Sequence, residues 1–143
     1  MQKLLTAVLF VVLASTQLQA APLTSEADVD EFVQDTMNAI SSEGVEIAFE
    51  RLREHTPDPD SGEFEAWIST ARVHESTMQA RVGTPIGNQL IRVDHASDSL
   101  TRYVYIQKYK THASTWKLYF YRGEERWYFN GFQVWVGSPA AFD

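Results

Sequence analysis

The chain contains no cysteine. Disulfides, thiol catalysis, disulfide exchange and cysteine-ligated zinc are therefore excluded, and stability must come from packing. After residue 20 no stretch is apolar for long enough to form a membrane-spanning helix. No internal repeat or low-complexity segment is evident. The sequence also lacks a G-x-S-x-G elbow, a phosphate loop and a dinucleotide fingerprint, so familiar hydrolase and nucleotide-binding routes have no support, and neither a cofactor nor a metal site is expected. Basic residues are scarce in one part of the chain. Residues 21–65 carry 13 acidic and 2 basic side chains, whereas residues 66–143 carry 6 acidic and 9 basic. The net charge of −7 argues against duplex nucleic acid, whose binding is dominated by phosphate neutralisation.

What is present begins with residues 1–20, MQKLLTAVLFVVLASTQLQA: one Lys, an apolar run over 4–13, and a small-residue end at Ala20 before Ala21-Pro22. This is the layout of a secretory signal peptide, too short in its apolar part to span a bilayer. The expected product is an exported, periplasmic or secreted domain over residues 21–143. A domain of this size buries about two-thirds of its unfolded surface and needs no staples.

Residues 24–40 place Val29, Phe32, Val33, Met37 and Ile40 at the spacing of one helical face. Ser25 is positioned to cap the free amides, and Glu26, Asp28, Asp30 and Glu31 occupy the turns where the helix dipole favours negative charge. A second helix, with Val45, Ala48, Phe49 and Leu52 on one stripe, follows Ser41-Ser42 and ends before Thr56-Pro57-Asp58-Pro59. Asp60 stands three residues before Glu63, a capping-box spacing, ahead of a third helix over about 61–80.

The period then changes from helical to alternating. Strands are expected over 90–95, 101–111, 115–121 and 126–136, with turns at 96–99 and 112–114 and a tight hairpin at 122–125. Twelve of the 18 aromatic residues fall within 102–135. The pair Asn130-Gly131 is a strong short hairpin signal, but a turn there would leave arms of only about four residues, so one long strand bent or bulged at Gly131 is preferred. The segment 127–136 carries no charge and should be paired, covered or buried in an interface. Both faces of the long strands bear aromatics. One face is expected to pack on the helices, and the other, rich in Tyr with Gln107 and Lys117, suits a half-exposed binding or dimer surface.

His74-Glu75 opens like a zinc-protease helix motif, but position 78 is Met, so the second ligand is missing. Asp94, His95 and His112 are candidates for a carboxylate-oriented base brought together by strand pairing, although Asp94 and His95 as neighbours point to opposite faces. Tyr103, Tyr105, Gln107, Arg92 and Arg102 are the better candidates for a ligand-binding surface, because Tyr hydroxyls orient polar groups and the sheet half is positively balanced. The alternative for the same residues is cross-strand pairing that stabilises the sheet.

Three helices followed by an antiparallel meander, with Thr84-Pro85-Ile86-Gly87 and Arg92 at the helix-to-sheet junction and Arg126-Trp127 with Gly131-Phe132 in the last strand, resemble the nuclear transport factor 2-like, or cystatin-like, α+β cone, and most of all its small exported bacterial domains of unknown function. The resemblance covers about residues 25–136 and rests on architectural residues. It implies three N-terminal helices on a curved four-stranded sheet, with a pocket that members use for isomerisation, dehydration, hydrolysis, ligand holding or assembly. The isomerase-type members use an Asp base and a Tyr donor, and neither aligns with a position here. Fold analogy carries little functional weight. The sequence therefore points first to a non-enzymatic module that takes a small ligand or protein partner through its pocket or aromatic sheet face, as a possible homodimer, and second to a small cofactor-free enzyme using a pocket His, Asp or Tyr.

Overall fold

The computed structural model describes residues 20–143; the expected leader, apart from Ala20, lies outside them. Three helices, α1 (Glu26–Ser42), α2 (Val45–Arg53) and α3 (Gly62–Val82), precede four strands, β1 (Gly87–Ser97), β2 (Leu100–Lys108), β3 (Ala113–Arg122) and β4 (Trp127–Val136). The strands pair antiparallel in the order β1-β2-β3-β4, which makes the fold α+β. Among the described residues no helix is long and apolar enough to cross a membrane.

Helix α1 begins where its caps dictate. The Ser25 hydroxyl accepts from the Asp28 amide while the Asp28 carboxylate accepts from the Ser25 amide, a reciprocal capping box. The helix runs through Ser41-Ser42 and buries Val29, Val33, Met37 and Ile40. The third helix starts one residue later than its acidic spacing indicates: Ser61, not Asp60, is the cap, its hydroxyl accepting from the Phe64 amide. It ends at Gly83, whose φ of +88° a side chain rarely tolerates.

One continuous core joins the helices to the sheet. Phe49, Phe64, Ile68 and Met37 from the helices meet Trp116, Leu118, Phe120 and Phe129 from the strands. Edge-to-face contacts recur through it, as between Trp67 and Phe129 with ring centroids 5.3 Å apart. Strand β4 is continuous across Asn130-Gly131. Its register against β3 slips there, with Tyr119 opposite Gly131 and Phe120 opposite Phe129, which leaves Asn130 as the bulged residue. Gly131 has φ of +134°, and a Cβ on it would lie 3.5 Å from the Trp67 ring. The unpaired edge of this charge-free strand is partly capped: the Trp127 amide donates to the Leu23 carbonyl at 2.7 Å and the Phe129 amide to the His55 carbonyl at 2.8 Å.

The assignment of sheet faces expected from the aromatic pattern is reversed on β2. Tyr103 and Tyr105 belong to the helix-facing core, and Gln107 lies on the same side of the strand. Lys117 stands opposite Val104 in register, so it shares a face with Val104 and not with Gln107. That second face is covered along its middle by the chain's own end. After β4 the chain turns at Gly137 and forms a short 3₁₀ segment, η1 (Pro139–Ala141), against β2 and β3. The Thr115 hydroxyl donates to the Gly137 carbonyl at 2.8 Å, the Arg92 guanidinium donates to the Ala141 carbonyl, and Val104 and Thr115 are fully buried. The physical reason is volume: long Tyr side chains fill the space under the helices, while short branched ones allow the terminal segment to lie close.

Candidate functional site

The five residues expected to form a binding surface divide between the two faces. Tyr103 is buried and its hydroxyl donates to Asp30 on α1 at 2.6 Å. Burial first, then the Asp30 carboxylate, raise this phenol well above its ordinary range. Burial likewise pushes the Tyr105 phenol up to about 12. These two tyrosines are cross-strand and core groups. On the other face, Arg92 and Arg102 converge on Asp94, at 3.0 and 2.7 Å. Burial raises the Asp94 carboxyl, but hydrogen bonds from Arg102 and Arg92 outweigh it and hold the group below its ordinary value. Asp94 thus orients no histidine. His95 contacts Thr101 and Glu26, and His112 sits with Thr111 in the β2–β3 turn, so the expected carboxylate–histidine base is not assembled.

Gln107 alone of the five lines the cavity between the helices and the sheet. The cavity has a volume of ≈ 400 Å³ and opens where the α1–α2 junction, α3 and the sheet meet. Its inner wall is a chain of polar groups. The Gln107 Oε1 accepts from the Tyr109 hydroxyl at 3.1 Å and from the Trp116 indole at 3.0 Å. Two donors on one oxygen fix the orientation of the amide, so its Nε2 is the free end. Next to this pair, His74 Nε2 lies 2.9 Å from the Ser114 hydroxyl, with the imidazole edge-on to Trp116 at 5.6 Å. Burial lowers the His74 pKa, which keeps the ring neutral at physiological pH. Burial raises that of Tyr109, against the opposing hydrogen bond from Ser114.

At the rim Glu75 does two things. Helix α2 has no side-chain cap of its own, because Gly44 stands at its N-cap with φ of +97°. The Glu75 Oε2 fills that role from α3, accepting from the Val45 amide at 2.7 Å. A Cβ on Gly44 would lie 3.5 Å from this carboxylate. The Glu75 Oε1 has no donor among the described residues, and it belongs to the cavity lining. Glu43, the other acidic residue of the lining, is paired with Arg51 at 3.0 Å. Among the described residues no Lys or Arg lines the cavity.

Residue types alone drew attention to His74-Glu75 only as a failed metal motif. The usable signal was position: His74 stands three residues after Ala71 and four before Met78, on the buried stripe of α3. Ser114 and Trp116 carried no signal beyond strand periodicity. Among the described residues no cluster of His, Asp or Glu is arranged to hold a metal ion.

Comparison with protein-family models, with curated proteins and with solved structures returns no match for this chain.

Proposed function

We propose that the chain is an exported, non-enzymatic binding module of the nuclear transport factor 2-like cone type, which holds a small polar ligand in the cavity between the α1–α2 junction, α3 and the sheet. The observation that supports this reading is the Gln107 side chain: it is buried, its oxygen is saturated by Tyr109 and Trp116, and its Nε2 has no acceptor among the described residues although it lines the cavity. The donor is not sealed from water, since His55 Nδ1 is the one sealed side-chain polar atom without a partner among the described residues, and a ligand acceptor can take the place of that water. The volume falls in the range of small-molecule sites. The test is a ligand screen followed by amide chemical shifts. Perturbations grouped on residues 40–45, 74–79 and 107–116 are expected, and perturbations elsewhere or none would overturn the assignment.

A second reading, a small cofactor-free enzyme, is favoured by one observation: His74, Glu75 and Tyr109 all line the same cavity. Against it, Ser114, the only hydroxyl among the described residues in hydrogen-bond contact with His74, is itself fully buried, out of reach of a substrate carbonyl. Turnover abolished by His74→Gln with ligand binding retained would decide for the enzyme.

Export follows from the reading of residues 1–20, and the intact mass of secreted protein should begin at Ala21. For the homodimer, the terminal segment occupies the middle of the outer face and leaves Tyr121 and Trp135 exposed at its margins. Assembly through the outer face would use that strip. Light scattering across micromolar concentrations tests it, and a strict monomer removes it.

A further inference from the structure

We infer that the cavity selects a protonated organic amine carrying an apolar body, and this inference rests on the cavity being a ligand site. Three independent features of the lining converge on that class. The first is charge. Among the described residues two carboxylates and no Lys or Arg line the cavity, and because Glu43 is paired with Arg51, Glu75 supplies the one carboxylate of the lining without a guanidinium or ammonium partner there. Its Oε1 is left free after Oε2 has capped α2. An anionic ligand would meet this oxygen with no compensating cation, whereas an ammonium group would form a charge-assisted hydrogen bond in a partly dry site.

The second feature is the state of the histidine. His74 is buried beside Ser114 and Trp116, where burial favours the neutral ring, so it adds no positive charge to repel a cation. The third is the inner wall. Trp116 and Tyr109 are electron-rich rings, and with Ile40 and Pro85 they make up most of the apolar part of a lining that is otherwise polar, enough for a small apolar body beside the charged group. The free Nε2 of Gln107, a residue only 3% exposed, is a donor inside the same cavity, so the ligand also carries a hydrogen-bond acceptor such as a hydroxyl or carbonyl oxygen.

The experiment uses three compounds matched in shape and differing in charge: 3-phenylpropan-1-amine, 3-phenylpropan-1-ol and 3-phenylpropanoate. Each is used as its para-hydroxy derivative, so that all three present the same hydroxyl acceptor to Gln107, and is titrated into the folded chain by calorimetry, with amide shifts to locate the contact. The amine should bind about tenfold or more tighter than the alcohol, the worth of one charge-assisted hydrogen bond, and the carboxylate should bind weakest. The variant Glu75→Gln keeps a carbonyl oxygen to cap Val45 and removes only the charge. It should melt close to the parent chain and lose the preference for the amine over the alcohol. If the alcohol or the carboxylate binds at these residues as well as the amine does, the cation class falls while the cavity stands as a site. If none of the three perturbs the lining, the amine class falls, and the ligand screen alone decides whether the cavity is a site. The three-way comparison on the parent chain decides the matter even where the variant does not fold.

Discussion

Gly44 concentrates several constraints in one residue. Its backbone, with φ of +97° and ψ of 167°, is in a region essentially confined to glycine, and a Cβ there would stand in ordinary van der Waals contact with the Glu75 carboxylate, 3.5 Å away. Gly44→Ala should therefore destabilise the fold by roughly 1–3 kcal/mol, the cost of a strained backbone well. Urea unfolding monitored by tryptophan fluorescence measures it, and an unchanged midpoint would mean that the α1–α2 junction relaxes without cost. The same residue links stability to the site, because Glu75 both caps α2 and lines the cavity.

Two buried histidines set the expected response to acid. His55 packs edge-on to Phe32 at 4.4 Å, and its Nδ1 is buried without a hydrogen-bond partner. Burial, with a contribution from Arg126, lowers its pKa, and burial lowers that of His74. The unfolded chain thus binds protons at higher pH than the folded one. Both groups contribute their full stability above about pH 6.5, the unfolded value, and that contribution is lost as pH falls through this value towards the lowered folded pKa values. Unfolding free energy should be lower at pH 5 than at pH 7.5, and His55→Leu should flatten the slope. A slope of the same steepness in the variant would assign the acid sensitivity elsewhere. Because Nδ1 is unsatisfied, the substitution itself should cost little.

Among the elements, the C-terminal segment is the one that periodicity did not reveal. Residues 137–143 have no repeat of apolar positions, yet they cover the outer face of β2 and β3 through the Thr115–Gly137 and Arg92–Ala141 hydrogen bonds and the burial of Ala141. Truncation after Gly137 should expose Val104 and Ile106 and lower stability by about 1–3 kcal/mol, the scale of uncovering one or two aliphatic side chains. Denaturant titration of the truncated chain checks this, and an unaltered midpoint would show that the segment rests on the sheet without stabilising it. The β4 bulge is the opposite case. It was legible, because arms of four residues on either side of Asn130-Gly131 make poor strands, and the observed slip between Tyr119 and Phe120 is the expected outcome.

For the whole molecule, the continuity of the core is decisive. Residues from α1, α2, α3 and three strands belong to one buried cluster, and no helix packs independently of the sheet. Unfolding should therefore be a single transition, with far-ultraviolet dichroism reporting the helices and tryptophan fluorescence reporting Trp116 and Trp127 in coincidence. Separate midpoints would show that the helices form a subdomain.

Sequence alone determined the helices, the four strands, their order along the chain and the absence of covalent staples. These depend on local signals: the spacing of Val29, Val33, Met37 and Ile40, the Ser25 cap, the change to alternation after Gly83, and the missing cysteines. Only the tertiary structure decided which face of β2 looks inward, which of the expected binding residues meet, and that His74, Glu75, Tyr109 and Gln107 surround one cavity. The reason is physical. A strand with apolar residues on both faces reads the same whichever way it is turned, and the choice is made by what packs against it, here the helices over Tyr103 and Tyr105 and the terminal segment over Val104. Contacts such as His74 with Ser114, 40 residues apart, have no local signature at all.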